Sequence, residues 1–138
     1  MNEPTLHSRI VTLLEAERAG VFAARALLAA AADSTQKDLM ALILDGERES
    51  CRVLGRTLLG MGLRGSGKAG DFAQKVMALE GPGDRLKLLI KGQEWVVRKI
   101  DEALQTTPPE PVAVSLSDIR HVHEVNIGKC REYLGDES

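Results

Sequence analysis

The 138-residue sequence predicts an all-α protein, four long helices packed as a bundle with an extended connection between the second and third. Three observations lead there. Apolar residues recur at steps of three and four over four segments of helical length. No segment sustains the period-two alternation of a half-buried strand. Clusters of glycine and proline fall between the four segments. The length suits one domain, expected to span 1–138, which buries roughly two-thirds of its unfolded surface.

The first helix is expected from about Thr5 to Ala32, after Pro4, with a core stripe of Leu6, Ile10, Leu13, Glu17, Val21, Ala24 and Leu28. Asp33 or Ser34 then offers an N-cap, because their short side chains can accept from the free backbone N–H groups of a new helix. The second helix is expected from about Thr35 to Met61, with Leu39, Ile43, Gly46 and Glu47, Ser50, Leu54, Thr57 and Met61 on its stripe. Gly60 and Gly62 end it, and Gly65, Gly67 and Gly70 hold the following stretch in a loop. The connection, roughly Gly62 to Gly83, is too long for a helical hairpin and contains a short helical piece, Asp71 to Leu79.

The third long helix is expected from about Asp84 to Gln105, its seam formed by Leu86, Ile90, Gln93, Val97, Ile100 and Leu104. A proline-rich break covers Thr106 to Pro111. Ser115 or Ser117 is expected to cap the last helix, which runs to about Leu134 before Gly135. Its stripe is Leu116, Ile119, His123, Asn126 and Ile127, Cys130 and Leu134.

Each stripe carries polar residues near its midpoint: Glu17, Glu47 with Ser50, Gln93, and His123 with Asn126. At about 100° of rotation per residue, Glu17 faces the core while Glu15 faces away, and His123 faces the core while His121 does not. Packing the four helices side by side brings the midpoints to one height and predicts a buried polar layer. Such groups are costly to bury unless paired, hydrogen-bonded or bound to metal. Glu17, Glu47 and His123 are the candidate metal ligands, with Gln93, Ser50 and Asn126 in the same layer. Two carboxylates and one imidazole suit a single Fe, Zn or Mn ion. The alternative is a metal-free hydrogen-bond network that fixes helix register.

Short connections within each half and a long one between the halves resemble the ferritin-like arrangement. The segments Leu14–Gly20, Gly92–Arg98 and His123–Ile127 are similar to an uncharacterised bacterial ferritin-like family. That resemblance implies a di-iron pattern, a Glu on two helices and Glu-x-x-His on the other two. Here it is degenerate: Glu17 and Glu47 stand at Glu positions, Ser50 stands where a His belongs, Gln93 replaces a Glu, and His123 with Asn126 replaces Glu-x-x-His.

The remaining features narrow the function classes. A formal net charge of −2 gives no general attraction to nucleic acid or anionic membrane, and 3% aromatic content leaves little for base stacking. The N-terminus shows no basic-then-apolar signal, so a cytoplasmic location is expected. Cys51 and Cys130 are isolated and read as reduced, structural thiols. Gly65-Ser66-Gly67-Lys68 lacks the full phosphate-loop pattern, and no other catalytic motif occurs. Leu44, Cys51 and Leu58 at sevenfold spacing, with Val11, Phe22 and Trp95 off the main stripes, suggest a homodimer surface or packing beneath the long connection.

Overall fold

Helices form where the chain replaces the hydrogen bonds their ends lack, and the first connection shows this most clearly. Asp33 Oδ1 accepts from Gln36 N–H at 2.8 Å, while Gln36 Oε1 accepts from Ala32 N–H at 3.1 Å. This reciprocal pair turns the chain in three residues and launches the second helix. The computed structural model describes residues 3–135 and contains five helices: α1 Leu6–Ala30, α2 Ser34–Gly60, α3 Phe72–Ala78, α4 Pro82–Gln105 and α5 Glu110–Leu134. Met1, Asn2 and residues 136–138 of the expected 1–138 domain lie outside the described residues. No strand occurs among the described residues, as the missing period-two pattern led one to expect.

The last helix departs from expectation. It starts at Glu110 with Pro109 as its N-cap, not at a serine cap, and Ser115 and Ser117 lie within it. Pro111 was read as part of the break. In the first helical turn, however, its missing N–H has no intrahelical acceptor to lose, and its ring presets the helical φ. The break shrinks to residues 106–109.

Side-by-side packing follows from the apolar stripes. Each long helix touches two others: α1 packs on α2 and α4, and α5 packs on α2 and α4. The buried apolar residues form two clusters. One holds Ala23, Ala24 and Leu27 of α1, Met40 and Ile43 of α2, Leu86 and Leu89 of α4, and Ile127 and Cys130 of α5. The other holds Ile10 and Leu13, Leu54 and Leu58, Ile100 and Ala103, and Leu116 and Ile119 from the same four helices. Chain order within the clusters gives direction. α1 and α5 run one way, α2 and α4 the other, so every touching pair of long helices is antiparallel.

Because α2 and α4 run parallel, the chain must return along the molecule between them. α3 lies on that return path and packs on α1 and α4. Val76 is fully buried, and the Phe72 ring lies over Gly92, where a Cβ would come within 2.7 Å of it. Arg85 fastens the far end, donating from Nε to Leu79 O at 2.6 Å and from Nη2 to Met77 O at 3.0 Å. These carbonyls lie at the end of α3, where no helical donor remains.

Leu44 and Leu58 are buried in the chain's own core, and Cys51 is half-buried. Most of the face spaced by sevens is therefore covered internally, while Phe22 stays exposed. No helix among the described residues is long and apolar enough to cross a membrane.

Two substitutions test this account by urea denaturation followed by circular dichroism. Leu54→Ala empties a fully buried position and should cost about 2–5 kcal/mol. Asp33→Ala removes only the cap and should cost about 0.5–2 kcal/mol. An Asp33→Ala loss as large as that of Leu54→Ala would contradict this division between cap and core.

Candidate metal centre

Between the two apolar clusters lies a single polar layer containing all six residues singled out from the sequence. Glu17 comes from α1, Glu47 and Ser50 from α2, Gln93 from α4, and His123 and Asn126 from α5, and none is more than 4% exposed. Their depth follows from chain position, since on each helix the polar residue falls between the residues assigned to the two clusters.

Three of the six converge. Glu17, Glu47 and His123 each place a ligand atom within 4.8 Å of the others. His123 Nε2 lies 2.9 Å from Glu17 Oε1 and 3.7 Å from Glu47 Oε1. The other ring nitrogen, Nδ1, lies 2.9 Å from the Ile119 carbonyl oxygen, one turn back on α5. A carbonyl can only accept, so Nδ1 carries a hydrogen and donates it. Nε2 of the neutral ring then presents a lone pair to two carboxylates. Despite this close approach, both Glu17 oxygens and Nε2 lack a hydrogen-bond partner of good geometry. Electron-rich atoms gathered in a buried layer call for compensation, supplied by a proton on Nε2 or on the Glu47 carboxyl, or by a metal ion.

The charge balance shows in the protonation of the layer. Burial lowers the basicity of His123, but the Glu17 charge beside it, reinforced by Glu47 and the Ile119 carbonyl, outweighs burial and raises its pKa to about 9. Burial is the main cause that holds the Glu47 carboxyl well above the usual carboxylate range, with Glu17 adding to it and His123 and Gln93 opposing it. Burial also pushes the Cys51 and Cys130 thiols up to about 12, so both are inert as nucleophiles.

The other layer residues serve the three. Gln93 Nε2 donates to Glu47 Oε1, which holds that carboxylate in place, while Gln93 Oε1 has no partner. Asn126 turns toward α2, its Nδ2 only 3.1 Å from where a Cβ on Gly46 would lie. Ser50 is buried in the layer but not part of the three-residue cluster. Glu94 and Asp101 stay at the edge, where Arg131 Nη2 reaches Glu94 at 2.8 Å and Arg120 Nε reaches Asp101 at 2.6 Å.

One contributor escaped the sequence reading. A Cβ on Gly20 would lie 2.3 Å from Glu47 Oε2, so this glycine makes room for the carboxylate. The available sign was an interior helical glycine one turn beyond Glu17, at a known cost in helix propensity.

Two measurements check the layer. Gly20→Ala should displace Glu47 and destabilise the protein by about 1–3 kcal/mol. Gly55→Ala, with nothing within 4 Å of its new Cβ, should stabilise by about 0.5–1 kcal/mol. The metal-free protein should also lose stability as pH rises. With its folded pKa raised to about 9 from 6.5, His123 contributes fully below pH 6.5 and loses that contribution as pH climbs through 9. The raised Glu47 pKa acts with the same sign. The His123 part is on the order of 3 kcal/mol. Denaturation midpoints in EDTA from pH 6 to 9 should fall, and a flat profile would contradict the assignment.

No curated protein and no solved structure matches the chain. A family model described as a domain of unknown function, DUF6306, matches residues 5–132, so the chain belongs to the DUF6306 family.

Proposed function

We propose that this protein is a ferritin-like crossover bundle whose polar layer holds one divalent metal ion on Glu17, Glu47 and His123. The observation that carries the reading is the set of unpartnered atoms at the layer's centre: both Glu17 oxygens and the His123 Nε2 lone pair, fully buried and within ligand reach of Glu47. Two hard carboxylate oxygens and one imidazole nitrogen suit Fe, Mn or Zn. Two ions do not fit, because Ser50, Gln93 and Asn126 replace the donors that a di-iron bundle uses. The antiparallel neighbours, the parallel α2 and α4, and the return path along α3 support the ferritin-like part.

The chain's own residues prepare such a site. The Ile119 carbonyl fixes the His123 tautomer that leaves Nε2 free, and Gln93 orients Glu47. Gly20 admits the Glu47 carboxylate, and the apolar clusters exclude bulk water. A three-ligand ion keeps open positions for water or substrate and would supply Lewis acidity or, as iron or manganese, one-electron chemistry.

A second reading is a metal-free helical module that pairs with a second copy, its polar layer setting helix register. The observation favouring it is the raised His123 pKa, since a proton on Nε2 also neutralises the layer. Metal analysis separates the two. Untagged protein reconstituted with iron, zinc or manganese should hold one ion per chain and resist heat better, by about 2.7 kcal/mol at a hundredfold excess over Kd. Glu17→Ala/His123→Ala should weaken binding at least roughly 100-fold. A folded wild type that stays metal-free with all three ions supports the second reading and overturns the first.

A further inference from the structure

Beside the polar layer, and sharing Glu47 with the three-residue cluster, a cavity of about 410 Å³ opens between α1 and α4 beneath α3. Its size falls within the range of small-molecule sites, roughly 300–1,000 Å³. Small residues create it: Ala16, Ala19 and Gly20 on α1 face Gly92 on α4. Phe72 and Trp95 provide aromatic walls, and the lining is predominantly apolar.

The inner wall is different. Glu47 and Gln93 line it, and both are buried. One of the two Gln93 amide hydrogens is committed to Glu47 Oε1, and Gln93 Oε1 has no partner. Glu47 Oε2 lies against Gly20, itself part of the lining. The floor therefore carries an unpartnered oxygen, Gln93 Oε1, beside the second oxygen of Glu47. Lys91 and Arg98, both exposed, also line the cavity, and neither has a carboxylate partner among the described residues.

We infer that this cavity binds a small, mainly apolar alcohol or phenol, whose hydroxyl donates to the Glu47–Gln93 floor and whose body lies between Phe72 and Trp95. A buried oxygen left without a donor, as Gln93 Oε1 is, is costly, which selects for a ligand that brings one. The two cations favour a neutral or anionic outer end over an ammonium. The site needs no metal ion, so it does not rest on the metal reading, although Glu47 is common to both.

Trp95 is the chain's one tryptophan and lines the cavity, so its fluorescence reports occupancy directly. The probes are 1-octanol, octyl methyl ether and octylammonium, titrated into the full chain with EDTA and again after zinc loading. The alcohol should change the fluorescence saturably in both forms, and the ether and the ammonium should bind at least tenfold more weakly. Ala16→Leu should fill the cavity and lower alcohol affinity at least tenfold, with circular dichroism confirming the helices. Gln93→Met should narrow the difference between alcohol and ether. Equal affinity for alcohol and ether, no saturable response, or undiminished binding in a folded Ala16→Leu protein would overturn the site. Binding confined to the zinc-loaded form would also overturn it, since the ion would then be the acceptor's replacement. Failure of zinc to bind, with alcohol binding intact, counts against the metal reading alone.

Discussion

The centre of this molecule depends on one electrostatic constraint. His123 Nε2 and the carboxylates of Glu17 and Glu47 meet in a buried layer, and three electron-rich groups share that space at a cost that a proton or a metal ion relieves. The Nδ1–H bond to Ile119 commits the tautomer and prevents Nε2 from being the donor nitrogen of a neutral ring. Proton and metal ion are the two solutions, and the proton can sit on Nε2 or on Glu47. The neighbouring Glu17 charge outweighs burial and raises the His123 pKa to about 9, in keeping with a layer that draws a proton when no metal is bound.

The surroundings act on that constraint in different ways. The two apolar clusters above and below the layer supply the burial that stabilises the fold and also deny water to the layer, which strengthens every charge interaction within it. Gln93 restrains Glu47 from one side, and Gly20 yields space on another. The same glycine helps to open the adjoining cavity, so the position of Glu47 and the shape of the cavity are set together. The return segment contributes too. Phe72 closes over Gly92 while Arg85 holds the end of α3, covering a groove that small residues leave between α1 and α4.

Much of this was legible before any coordinates. Helical phase separated Glu17 from Glu15 and His123 from His121, because one residue of each pair falls 100° or more from the apolar arc. All six polar-layer residues proved buried, and depth along each helix put them at one level. The stripe on the second helix similarly located Leu54 in the core. The start of α5 was misread because proline was weighted as a breaker, although it is well tolerated in a first helical turn. The sevenfold spacing of Leu44 and Leu58 was ambiguous in one dimension. A second apolar face can meet another chain or the protein's own helices, and here both leucines went into the core.

The sequence by itself determined the helices, their order and the depth of the polar layer, since local hydrogen bonding and apolar periodicity act along one helix at a time. Tertiary packing decided which layer residues meet. Glu17, Glu47 and His123 come from three helices, and their separation depends on how closely those helices approach, which no spacing within one helix encodes. It also decided that Gly20 serves Glu47 across a helix interface, and that Gln93 gives one amide hydrogen to Glu47 and leaves its oxygen unpaired. Such pairings are short-range interactions between residues far apart in the chain, so only the folded backbone brings them within reach.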